Sequence, residues 1–231
     1  MNNKILLLAA LLAFNCHAAP HPNSATQPLD FIPANYVVFG KAVGDLNKDQ
    51  RDDYLFVVKG TDKAAVIQDE QRGTLDRNRR GIIIALRHDD HFDLVVKNLQ
   101  CFSSENEDGG VYFAPELSVD IVKGNLEIGY GYGRYGFWSY KFRFQHAKFE
   151  LIGYDRSEDR GPVVESTVSI NFSTRKMLTQ ENTNPHAEGG DEVFKDTWTT
   201  IRRDRYIDLQ QVQDFDELSS ETLLSMVNRT K

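Results

Sequence analysis

From Trp138 to Gln145 the chain alternates without a slip. Trp138, Tyr140, Phe142 and Phe144 fall on one parity, and Ser139, Lys141, Arg143 and Gln145 on the other. Successive side chains of a strand point to opposite faces, so this pattern predicts one aromatic face and one polar face. The same period returns at Leu117, Val119 and Ile121, at Leu126, Ile128 and Tyr130, and at Val168, Ile170 and Phe172. Lys123-Gly124 joins the first two of these runs as a tight turn, predicting a hairpin with one wet face. A turn near Ala147-Lys148 sends Phe149 to Tyr154 back along the aromatic strand. The sequence therefore predicts an all-β fold, a mostly antiparallel sheet or meander.

Earlier strands are expected at Tyr36 to Val43, Tyr54 to Val58, Gly81 to Leu86 and Phe92 to Val96. The unbroken apolar run at Tyr54 places that strand centrally, with both faces covered. Thr61 to Arg80, Asn98 to Gly110, Asp155 to Gly161 and Glu181 to Asp196 are polar and read as loops or turns. Met177 to Gln180 and Trp198 to Arg203 extend the sheet. Ser220 is placed to cap a short helix over about Glu221 to Asn228. The divisions are a signal segment over 1–18, a flexible lead-in over 19–30, a β-rich domain over 31–215 and a helical segment over 216–231. No second copy of any unit appears at the period of a β-propeller.

Between the first two long strands stands Gly44-Asp45-Leu46-Asn47-Lys48-Asp49-Gln50-Arg51-Asp52-Asp53. Calcium takes 6–8 oxygen ligands, and loops supply them at alternate positions. Counting Asp45 as 1, Asn47 is 3, Asp49 is 5, the Arg51 carbonyl is 7 and Asp53 at 9 closes the shell. An EF-hand would place a Glu at 12 inside a helix–loop–helix, where this chain has Phe56 in a strand. The same residues also suit an Asx-rich turn, since Asp and Asn bond to nearby backbone.

The pattern D-x-N-x-D-x-x-x-D, running into an apolar strand, resembles the calcium loop of FG-GAP/VCBS-type repeats. More narrowly, the layout is similar to exported bacterial proteins with a single such loop. Its parts here are Ile32-Pro33, Asp45 to Asp53, Gly81 to Leu86 and the Gly/aromatic stretch Gly129 to Phe144. The resemblance implies a β fold, a structural Ca2+ ion and an extracytoplasmic compartment, and it assigns no activity. One departure stands out. Such loops carry Gly at position 6, and Gln50 stands here, where a left-handed backbone costs a non-Gly residue about 1 kcal/mol or more.

The first residues suggest export. Lys4 gives a short positive start, Ile5 to Phe14 is too short to span a bilayer, and Cys16-His17-Ala18 offers small residues for cleavage after Ala18. The expected compartment is periplasmic or secreted, with no transmembrane segment in the mature chain. Lipidation at Cys16 is disfavoured by Phe14 and Asn15, where a lipoprotein signal takes small residues. Cleavage would leave Cys101 without a disulfide partner, to be read as a buried thiol. The net charge of −7 argues against nucleic acid as a partner.

Two further groups carry chemistry. Tyr130, Tyr132, Tyr135 and Trp138 form a possible stacking platform for a sugar or peptide, set against plain core packing. His88-Asp89-Asp90-His91 holds zinc-type donors, but four adjacent residues in a tight turn favour the turn itself. The function expected is a binding or structural module of the cell envelope, acting on a protein or glycan, with no catalysis evident. The alternatives are a secreted hydrolase with an aromatic-lined cleft and a periplasmic inhibitor or immunity-type protein.

Overall fold

The computed structural model describes residues 23–106 and 115–228. The export signal expected over residues 1–18, Cys16 included, and the stretch from Glu107 to Gly110 lie outside the described residues.

The described residues fold into strands and one short helix. In chain order they are β1 (Ser24–Ala25), β2 (Tyr36–Gly44), β3 (Asp53–Gly60), β4 (Val66–Asp69), β5 (Gly73–Asp76), β6 (Arg80–Arg87) and β7 (Phe92–Phe102). Then come β8 (Glu116–Val122), β9 (Asn125–Gly131), β10 (Gly136–Gln145), β11 (Lys148–Arg160), β12 (Val163–Asn171), β13 (Lys176–Asn182), β14 (Phe194–Thr200) and helix α1 (Ser220–Val227). A five-stranded sheet runs β1-β7-β6-β3-β2, and a seven-stranded sheet runs β14-β13-β12-β11-β10-β9-β8. The second is a plain meander in which each strand pairs with its sequence neighbour. It follows from short turns between alternating strands, and left-handed residues close them: Lys123 and Gly124 between β8 and β9, His146 and Ala147 between β10 and β11. All strand pairs are antiparallel, so the all-β expectation holds.

The period-2 rule explains how the core is divided. Leu55 and Val57 of β3, with Ile82, Ile84 and Leu86 of β6, share one buried cluster with Leu126, Ile128, Tyr130, Tyr140 and Phe142 of the large sheet. The alternate residues Phe56, Val58, Ile83 and Ala85 form a second cluster with Phe31 and Phe92. β3 and β6 are thus covered on both faces, one by the large sheet and one by residues 25–36, while the edge strand β2 leaves Val37, Val38 and Phe39 exposed. Each fully buried Leu, Ile, Val or Phe contributes about 1.5–3 kcal/mol by leaving water.

The segment from Ile201 to Val227 closes the core. Ile201, Ile207, Leu209, Val212, Phe215, Leu218, Leu223 and Val227 all belong to the inter-sheet cluster. The Tyr140 hydroxyl fixes this segment by bonding the carbonyls of Phe215 at 3.1 Å and Leu218 at 3.0 Å. The Phe215 N–H donates to the Cys101 carbonyl at 3.0 Å.

Several local expectations are corrected. The described part of the lead-in is built into the fold: Ser24 and Ala25 pair with β7, and Pro28–Phe31 form a 3-10 turn with Pro28 and Phe31 buried. Residues 61–80 contain the hairpin β4–β5, whose turn is held by Asp69 accepting from Gln71 and Arg72. β7 runs on to Phe102, so Cys101 sits in a strand, buried. Asp155 to Arg160 continue β11 instead of turning. Ser169 donates to Asp155 at 2.6 Å across the ladder, so polar pairs hold a strand there in place of apolar alternation. The helix cap is Ser219, one residue before the expected Ser220; its Oγ accepts the Thr222 N–H at 3.2 Å. No helix among the described residues is long and apolar enough to cross a membrane.

Candidate functional site

The Asp/Asn loop connects β2 to β3, and its side chains are aimed by backbone donors. The Asp45 carboxylate accepts N–H groups from Lys48 at 2.6 Å, Asp49 at 3.1 Å and Gln50 at 2.9 Å. Asn47 Oδ1 accepts from Asp49 N at 3.0 Å, and Asp49 Oδ1 from Arg51 N at 2.9 Å. Asn47 Nδ2 donates to the other Asp49 oxygen at 3.1 Å. Such wrapping requires a sharply coiled backbone: Lys48 and Gln50 take positive φ values of 67° and 70°. Gln50 therefore adopts the left-handed turn that glycine would enter freely, at the cost expected from the sequence.

Asp53 is the buried member of the set. One oxygen accepts the Leu46 N–H at 2.7 Å and the other the Arg87 N–H at 2.9 Å. Burial is the largest influence on its acidity and lifts its pKa above the ordinary value; these N–H bonds pull it down, and the Asp49 charge adds to the rise. The Arg51 guanidinium reaches out of the loop to pair with Asp89 in the β6–β7 turn and lies 3.7 Å from Asp49. On the other side, the β8–β9 turn leans on the loop: a Cβ at Gly124 would come 3.1 Å from the Asp45 carbonyl. The loop thus joins β2–β3, the β6–β7 turn and the β8–β9 turn.

The β6–β7 turn brings together what the sequence separates. The His88 N–H bonds the His91 carbonyl at 2.8 Å, so the two histidines face each other across Asp89-Asp90. Their rings stack with centroids 4.8 Å apart and an interplanar angle of 18°. Asp93, two residues further along β7, lies 3.1 Å from His88 Nε2 and 3.6 Å from His91 Nε2. Among the described residues these three are the group whose donor atoms all lie within 4.8 Å of one another. Sequence reasoning named both histidines but missed Asp93. The usable signal was the two-residue connection, which sets His88 opposite His91 and puts Asp93 on the same face.

Beside this turn a cleft of about 460 Å³ opens between residues 26–29 and the outer face of the small sheet. Lys41, Tyr54, Arg87, His88 and His91 are among its lining residues. Lys41 Nζ sits 4.7 Å above the Tyr54 ring.

The aromatic group is partly assembled. Trp138 stacks on Tyr130 with centroids 5.6 Å apart and contacts Tyr132 at 4.7 Å. Tyr130 is buried in the inter-sheet core, whereas Tyr135 is exposed on a 3-10 turn beside Arg134. The Tyr130 hydroxyl and the Trp138 Nε1 are buried without a hydrogen-bond partner among the described residues. Core packing therefore claims Tyr130, and Tyr132, Tyr135 and Trp138 are the members with exposed surface.

Comparison with protein-family models, with curated proteins and with solved structures finds no match to this chain.

Proposed function

We propose that the chain is an exported binding or structural module of the cell envelope. In this reading Asp45, Asn47, Asp49, the Arg51 carbonyl and Asp53 hold a structural calcium ion. The observation that carries it is the left-handed backbone at Lys48 and Gln50, with side-chain oxygens already oriented by N–H donors. Asp45 Oδ2, Asn47 Oδ1 and Asp49 Oδ1 each accept one N–H and keep a second lone pair for a cation, whereas Asp45 Oδ1 accepts two. The ion would offset the repulsion among Asp45, Asp49 and Asp53 and stiffen a junction of three turns. The partner, a protein or glycan, would be met on the neighbouring surface, whose cleft offers cationic and aromatic side chains.

The test is thermal melting of chelator-stripped protein with and without millimolar calcium. The expected result is a higher Tm with calcium and no shift in Asp49→Ala. A melting curve that ignores calcium in the wild type would sink the reading.

A further inference from the structure

We propose that His88, His91 and Asp93 form a binding site for a divalent transition ion, zinc above all, at the tip of the β6–β7 hairpin. The proposal does not rest on calcium binding in the neighbouring loop. The donors decide the class of ion. Two imidazoles and one carboxylate suit zinc and its neighbours, whereas calcium takes oxygen ligands.

The geometry agrees with the donors. Zinc holds nitrogen and oxygen ligands at about 2.0–2.1 Å in a tetrahedron, which separates adjacent ligand atoms by roughly 3.3–3.4 Å. Here His88 Nε2 lies 3.1 Å from Asp93 Oδ2 and His91 Nε2 lies 3.6 Å from Asp93 Oδ1. The two contacts, one to each carboxylate oxygen, bracket that spacing, and the donor atoms of all three side chains lie within 4.8 Å of one another. The backbone itself is fixed on two sides: Asp93 pairs with Leu86 on β6 and with Ser24 on β1.

A second, independent feature prepares His91 for the role. Its Nδ1 lies 2.7 Å from Asp90 Oδ1. Donation of Nδ1–H to that carboxylate leaves the Nε2 lone pair free and faces it toward Asp93. This is the carboxylate–histidine arrangement that orients metal-bound imidazoles. Asp90 is then a positioning residue and not a ligand. The three side chains are 42%, 38% and 43% exposed, so the ion exchanges with solvent and a fourth position is open to water.

The test uses the full chain without an affinity tag, stripped with chelator. Zinc is titrated against a chromophoric chelator, and cobalt is added separately to read the coordination from its visible absorption. The expected result is one zinc per chain and a tetrahedral cobalt spectrum. His91→Ala and Asp93→Asn should each lose both signals. Asp90→Asn, which keeps all three ligands, should weaken zinc about 10-fold or more. One control should bind as the wild type: His146→Ala, an exposed histidine paired with Glu150 on β11. Circular dichroism of each variant separates loss of ligand from loss of fold. The proposal is overturned if stripped wild type takes up no stoichiometric zinc, or if folded His91→Ala and Asp93→Asn bind zinc as tightly as the wild type.

Discussion

Asp53 Oδ1 accepts the backbone N–H of Arg87 at 2.9 Å, tying the first residue of β3 to the last residue of β6. Its second oxygen holds Leu46 at 2.7 Å, and the side chain is fully buried. Asp53→Ala would leave two donors without their acceptor, each worth about 1–3 kcal/mol when buried. The expected loss is about 2–6 kcal/mol in urea unfolding. Asp53→Asn keeps one acceptor oxygen and should lose less than the alanine variant. Equal stabilities for all three proteins would show that the clamp carries no load.

Two tyrosines on adjacent strands should respond in opposite ways to loss of a hydroxyl. Tyr140 bonds two carbonyls of the C-terminal segment, so Tyr140→Phe should cost about 1–3 kcal/mol. It should also speed proteolysis near Phe215. The Tyr130 hydroxyl has no partner among the described residues. Tyr130→Phe should therefore leave stability unchanged or raise it, because a buried polar group without a bond is a cost. Urea titration of the two variants side by side reads the contrast, and a clear loss in Tyr130→Phe would refute it.

Cys101 is fully buried, and burial pushes its thiol pKa far above the ordinary value. The thiolate is the reactive form. Native protein should therefore leave Cys101 unmodified by iodoacetamide at mildly alkaline pH. The same peptide should label fully in denaturant. Peptide mass mapping distinguishes it from Cys16, and rapid native labelling at Cys101 would contradict the buried strand position.

Acid should weaken the fold in a definite window. Asp69 is held below its ordinary pKa of 3.8 by the N–H groups of Arg72 and Gln71, and Asp191 likewise by Glu188 and Gly189. A carboxylate depressed in the folded state stabilises above its unfolded pKa, and that stability is lost as pH falls through the folded value. Tm should therefore drop more steeply below pH 3.8, and Asp69→Asn with Asp191→Asn should flatten the slope. Asp53 works the other way: burial raises its pKa above 3.8, so its charge costs stability that protonation relieves. A Tm slope identical in the double variant would remove Asp69 and Asp191 from the account.

The sequence made the sheet legible wherever burial is one-sided or complete. Tyr140 and Phe142 announce a face by their period, and Leu55 to Val58 announce two faces by having no polar interruption. It was silent where polar bonds do the work. The hairpin β4–β5 depends on the Asp69 turn and on Lys59, which pairs with Asp76 at 2.8 Å from another strand. β7 continues past Asn98 because that side chain donates to the carbonyls of Leu209 at 3.2 Å and Val212 at 2.7 Å. Those partners lie more than a hundred residues away, beyond any local pattern. The Asp/Asn loop was legible because its donors and acceptors are neighbours in the chain. Asp93 was legible only through the two-residue connection, which the bond from the His88 N–H to the His91 carbonyl closes.

The bond from Phe215 to the Cys101 carbonyl has a consequence for how the chain comes to be folded. Contacts between residues so far apart form only after a large loop has closed, and such topologies assemble slowly. Until Phe215 arrives, Phe102, Tyr140 and Phe142 face an empty seat. A molecule halted at that stage would show greasy sheet faces to its neighbours, the condition under which partly built β proteins stick together. Yield on refolding should accordingly be limited by how fast the tail docks, more than by how fast either sheet zips.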